Sequence, residues 1–159
     1  MLCTDNGHFT YAFGNGFAKQ AMPQRLEFSL EICSEAPYYR NDWKSEITFA
    51  VNDIELATYL SPGDFGGARG KLNPDWWEDK FTQYGTLVSI IVNPDGVLLN
   101  GEKVSMSPSL IDLNIDNGNR LNFSVYIKKN AYYVGGFNIF GKSFGNHPQD
   151  IVMNAIYLK

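Results

Sequence analysis

Residues 61–77 read SPGDFGGARGKLNPDWW and hold the densest set of ligand-capable groups in the chain. Asp64 offers a carboxylate and Arg69 a planar fork of donors, groups that hydrogen-bond neighbouring hydroxyls on a small polar ligand. Trp76 and Trp77 supply flat indole faces on which a sugar ring or a base can stack. Gly63, Gly66, Gly67 and Gly70 lie close together between them, and glycine lets the backbone take φ > 0 and lets a ligand approach main-chain N–H groups. Two readings compete. In one, Asp64, Arg69 and at least one of Trp43, Trp76 and Trp77 line a single concave site. In the other, the loop is folded on itself, its indoles pinned into the core and Asp64 braced against Arg69 by an ion pair of the individually weak kind.

A second Gly/aromatic segment, GGFNIFG at 135–141 continuing to FGN at 144–146, is either a strand with bulges or a second wall of the same site carrying Asn138. His8 and His147 are the only histidines. His147 has Asp150 three residues on, but no GxSxG elbow supplies a nucleophile, and a histidine beside Pro148 is usually a surface residue. Glu31 and Glu35 could form a glycosidase-type carboxylate pair, although acids on a solvated strand face are the commoner case. Asp64-Phe65-Gly66 spells the kinase magnesium motif without the rest of the kinase set, and no Gly-Lys-Ser/Thr turns the glycines into a phosphate loop. No CxxC offers a cysteine zinc site. The expectation is a non-enzymatic binding site drawn from Trp43, Asp64, Arg69, Trp76, Trp77, Asn138 and His147, with no catalytic residue, metal or cofactor.

The elements that must position these residues are strands. Apolar residues make up 44% of the 159-residue chain and aromatics 14%, a load that argues for a packed β core and against disorder. Period-two alternation runs through 24–33, where Leu26, Phe28, Leu30 and Ile32 share one face. It recurs at 46–51 and 54–60 around Asn52-Asp53, at 86–92 and 97–99 around the turn NPDG, at 121–128 and at 151–158. Asn100-Gly101 is the strongest short hairpin signal. Helix is confined to single turns, one at 107–112 with Ser107 as cap and Pro108 in first position, another at 73–78. Stretches 34–43, 61–84 and 134–150 do not read as strands, and long loops in a compact domain commonly carry function. The fold expected is one all-β domain over 1–159, an antiparallel β-sandwich or jelly roll of the galactose-binding-like kind with short helical turns.

Charge and leader signals bound the setting. The net charge is −4 and the basic residues are scattered singly apart from Lys128-Lys129, so a grip on duplex phosphates is not expected of this chain. Neither a signal peptide nor a membrane-spanning run is present, which makes the cytoplasm the expected location. Cys33 ends an apolar run and reads as a small buried hydrophobe.

LEICSEAP at 30–37, NDW at 41–43, ITF at 47–49, SPGDFGG at 61–67, RG at 69–70, LNPDWW at 72–77, QYG at 83–85 and PQDIV at 148–152 carry a family resemblance. Together they resemble the region that follows the winged helix-turn-helix in a group of bacterial ArsR-type transcriptional regulators, from about Phe9 to the C-terminus. The resemblance implies a cytoplasmic regulator whose β domain senses a ligand or mediates assembly. The metal-sensing cysteines of many ArsR-type proteins have no counterpart here, and the DNA-binding helices are expected on a separate winged-helix domain. Three functions follow: an effector domain for a small polar ligand such as a sugar, with a second copy of the chain as a further candidate partner; a free-standing carbohydrate-binding module; and, least favoured, a hydrolase using loop carboxylates.

Overall fold

Alternation becomes strand wherever it is strong. In a computed structural model that describes residues 1–14, 22–115 and 120–157, the strands are β1 Leu2–Thr4, β2 His8–Gly14, β3 Arg25–Cys33, β4 Ser45–Val51, β5 Ile54–Ser61, β6 Thr86–Asn93, β7 Gly96–Leu99, β8 Glu102–Ser105, β9 Arg120–Ile127, β10 Phe137–Ile139 and β11 Val152–Ile156. They form a seven-stranded sheet in the order β1-β10-β3-β6-β7-β8, with β11 also on β3, and a four-stranded sheet β2-β9-β4-β5. Every pairing is antiparallel. The protein is an antiparallel β-sandwich.

The sheets meet through the apolar faces that alternation marks. Leu26, Phe28, Leu30 and Ile32 of β3 join Ile47, Phe49 and Val51 of β4 and Leu121, Phe123 and Val125 of β9 in one buried cluster. Phe123 sits at its centre, stacked on Phe28 of the opposite sheet at 4.7 Å between ring centroids and on Phe49 at 5.9 Å. Stacked pairs of this kind add about 0.5–1.5 kcal/mol each beyond the area they bury.

The turns follow their residues. Asn52 and Asp53 both take positive φ, 48° and 65°, as do Asn100 and Gly101 at 52° and 85°, which matches the right-handed twist of the strands they join. The helical turns are less regular than expected. A 3-10 turn spans Leu110–Leu113, and its cap is Ser109 rather than Ser107, because the Ser109 N–H and hydroxyl both donate to the Asp112 carboxylate, at 2.7 and 2.8 Å. Residues 73–78 make no helix; a turn closes there through Trp77 N–H to the Pro74 carbonyl at 2.9 Å.

The strand face opposite the core carries the largest departure from the sequence reading. Glu31 and Cys33 lie on the polar side of β3, yet both are fully buried. Segments 61–85 and 141–150 fold over that side as a further layer. The Glu31 carboxylate accepts N–H bonds from Gly85, Asn146 and His147 at 2.8–3.0 Å, and Gln149 reaches Ser29 at 3.0 Å. Glu31 therefore holds loop backbone and forms no carboxylate pair with Glu35 at a cleft. Among the described residues, no helix is long and apolar enough to cross a membrane.

Candidate functional site

Loop 34–44 leaves β3, crosses the end of the sandwich and enters β4. Trp43 N–H donates to the Arg40 carbonyl at 3.1 Å, closing a turn that brings the Arg40 guanidinium over the Trp43 ring, 4.6 Å from its centroid. Facing it is the loop that leaves β9. Glu46 ties that loop to the start of β4: its own N–H donates to the Tyr133 carbonyl at 2.9 Å, and its carboxylate accepts the Tyr132 N–H at 3.2 Å. Gly135 completes the join, since a Cβ there would collide with the Lys44 carbonyl.

Between the two loops lies an open cleft of about 420 Å³ lined by Arg40, Asp42, Trp43, Lys44, Tyr132, Tyr133 and Val134. Tyr132 and Tyr133 meet edge to face at 4.7 Å, and Tyr132 is 83% exposed. The Lys44 ammonium lies over the Tyr133 ring at 5.4 Å. Arg40 Nε is 3.7 Å from Asp42, with both side chains largely in water. The volume falls in the range of small-molecule sites, and aromatic walls with a few polar groups are their usual lining.

Of the residues singled out in the sequence, Trp43 lines this cleft. Asp64 and Asn138 do not reach it; they hold the loop that builds it. Asp64 is fully buried, and its Oδ2 accepts the Ala36 N–H and the Thr82 hydroxyl, each at 2.9 Å. Its own N–H donates to the Arg40 carbonyl at 2.9 Å. Gly63 permits the approach, because a Cβ there would strike the Asn41 carbonyl. Burial lifts the Asp64 carboxyl from its ordinary 3.8 to about 7, against the two donors that favour the ionised form. Buried Asn138 donates to the Ser34 carbonyl at 2.8 Å. Cys33 packs between them, 3.8 Å from Asp64 Oδ1, and burial, reinforced by the Asp64 charge, pushes its thiol well above the ordinary value. Burial also raises Glu35.

The remaining residues sit elsewhere. Arg69 forms no ion pair with Asp64; it donates to the Pro74 and Trp77 carbonyls at 2.6 and 2.8 Å and pairs with Asp79 at 2.7 Å. Trp77 donates its indole N–H to the Thr82 carbonyl at 2.8 Å and packs with Phe81, Phe144 and Trp76. Trp76 is 71% exposed on that cluster. His147 contributes its backbone N–H to Glu31. The expected convergence of Asp64, Arg69 and an indole in one cleft does not occur: Asp64 is sealed under loop 34–44, and Arg69 spends its donors within its own loop.

Sequence reasoning passed over Arg40, Asp42, Lys44, Tyr132 and Tyr133. A signal existed: the charged Arg40-Asn-Asp-Trp43 turn and the adjacent tyrosines each follow a turn-forming stretch outside any strand. Among the described residues, no group of three or more His, Cys, Asp or Glu side chains is placed to hold a metal ion. No protein-family model, curated protein or solved structure matches the chain.

Proposed function

We propose that this domain binds a small polar ligand, a sugar above all, in the cleft between loop 34–44 and the loop after β9, and that it serves as the ligand-sensing domain of a cytoplasmic transcriptional regulator. One observation carries the binding reading: Trp43, Tyr132 and Tyr133 stand with three charged side chains in an open cleft. A ring platform beside hydrogen-bonding groups suits a ligand with an apolar ring face and polar edges.

The regulator setting rests on the motifs quoted above. DNA contacts belong, in this proposal, to a separate winged helix, in keeping with the net charge of −4 on this chain. Attached to such a winged helix, the domain should change operator affinity when its ligand is added. Unchanged affinity with intact ligand binding would favour a free-standing carbohydrate-binding module.

The test of binding is a thermal-shift screen against monosaccharides and disaccharides. A ligand at 100 times its Kd should raise Tm by about 5–10 °C, and Trp43→Ala should abolish the rise. A shift that survives both Trp43→Ala and Tyr132→Ala would place the ligand outside the cleft and end the proposal.

A further inference from the structure

The charges in the cleft are unequal, and that inequality narrows the ligand. Arg40 and Lys44 bring two cations to the lining and Asp42 one carboxylate, while the nearby Glu46 carboxylate is taken up by the Tyr132 N–H, so the lining side chains are net positive on a chain of net charge −4. Asp42 meets Arg40 at Nε, at 3.7 Å, with the two side chains 82% and 52% exposed. A pair that long and that wet is weak. Among the described residues, no carboxylate pairs with Lys44, whose ammonium is held instead over the Tyr133 ring. Both cations thus rest on aromatic faces, positioned by rings and left with donors free for an incoming oxygen. The cations lie on the 40–44 turn, while the exposed Tyr132 face lies on the opposite wall. Such a cleft takes a ligand with a negative group at one edge and an apolar ring face at the other.

We propose that the cleft selects an anionic saccharide, a sugar bearing one carboxylate or one phosphate, over its neutral counterpart. This rests on the cleft being the ligand site. The anionic group would accept hydrogen bonds from Lys44 Nζ and the terminal guanidinium nitrogens of Arg40, which offers a bidentate fork to either oxyanion. The sugar ring would then lie toward Tyr132. Asp42, beside Arg40, offers an acceptor for a ring hydroxyl.

Titration calorimetry on the full chain with glucuronate, galacturonate, glucose 6-phosphate, glucose, galactose and inorganic phosphate decides the matter. At least one acidic sugar should bind about tenfold or more tightly than its neutral parent at low salt, and the advantage should shrink at 0.5 M ionic strength, of the order at which screening acts within a few ångströms. The uronate and phosphate arms separate the two anions. Lys44→Gln should bring the acidic-to-neutral ratio toward one. Equal binding of acidic and neutral sugars, lost in Trp43→Ala, would overturn the charge selection and leave the cleft as the sugar site. Inorganic phosphate binding as tightly as glucose 6-phosphate would overturn the saccharide part. Binding of none of the sugars, or binding indifferent to Trp43→Ala and Tyr132→Ala, would overturn both this proposal and the reading of the cleft beneath it.

Discussion

Two loop regions of this sandwich use similar residues to opposite ends. The layer over the outer face of β3, made from 61–85 and 141–150, carries tryptophan, an arginine and carboxylates, and so does the cleft built by 34–44 and 131–135. In the first, polar groups are consumed internally: Glu31 by three backbone N–H groups, Arg69 by two carbonyls and Asp79, Trp77 by the Thr82 carbonyl. In the second, the Tyr132 hydroxyl and the Lys44 ammonium make no hydrogen bond or ion pair among the described residues, Arg40 makes one long contact to Asp42, and the loops are held mainly through their backbone. Residue type does not separate a brace from a candidate binding site. The fate of each donor and acceptor does.

The sharpest way to test that contrast is to remove a brace. Glu31→Ala strands the buried N–H group of Gly85 and the partly buried ones of Asn146 and His147. A buried unpaired N–H costs about 1–3 kcal/mol, so denaturant unfolding should show a loss of about 3–5 kcal/mol. A loss under about 1 kcal/mol would mean that the outer layer is not held by this carboxylate.

Arg69→Ala should have a smaller effect. Its partners lie at the surface, and its side chain is 36% exposed, so the expected loss is about 1–2 kcal/mol. The loss should be the same with and without cleft ligand. Abolition of the ligand-induced Tm shift with unchanged stability of the free protein would instead move Arg69 from brace to binding residue.

These outcomes bear on what the sequence could disclose. The core was readable because Leu26, Phe28, Leu30 and Ile32 obey a period of two and nothing in their neighbourhood contradicts it. The hairpins at Asn52-Asp53 and Asn100-Gly101 were readable because positive φ favours those residues. The short strands β1, β8 and β10 were not, since three or four residues carry too little pattern and take their shape from the strands they join; β2 was missed as well, although Phe9, Tyr11 and Phe13 alternate along its seven residues. The layer over β3 was hidden for a different reason. Glu31 alternates as a solvent-facing acid should, and only the return of 145–147, more than a hundred residues later, buries it. The cleft was hidden likewise: Trp43 was singled out, but its partners Tyr132 and Tyr133 come from the far side of β9, a proximity set by the pairing of β9 with β4.

Asp64 links the two regions, and pH reports on it. The folded protein keeps the Asp64 proton up to about pH 7, whereas the unfolded chain releases it near 3.8. Between those values the folded state binds more protons. The contribution of this group to stability is therefore full below pH 3.8 and is lost as pH rises to about 7. Asp64→Asn keeps a carbonyl oxygen for the Ala36 N–H and the Thr82 hydroxyl and removes the titration. Its stability should be flatter with pH across that window than that of the parent protein. Curves that run parallel would show that Asp64 does not titrate there.

The smallest effect on stability should come from the cleft itself. Tyr132 is 83% exposed; its ring touches Tyr133 edge to face at 4.7 Å, and its tie to Glu46 runs through the backbone N–H, which alanine retains. Tyr132→Ala should thus leave stability within about 0.5 kcal/mol, the usual reach of a surface substitution that breaks no cap, core contact or buried bond. The same change removes the one cleft ring that offers most of its surface to water, and the sugar-induced Tm shift should fall with it. The two measurements together discriminate. A ring that matters for ligand and not for folding is what a binding site requires. If Tyr132→Ala instead lowers Tm by several degrees without ligand, the loop after β9 is braced by its side chains as the layer over β3 is, and the contrast between the two regions fails at its simplest point.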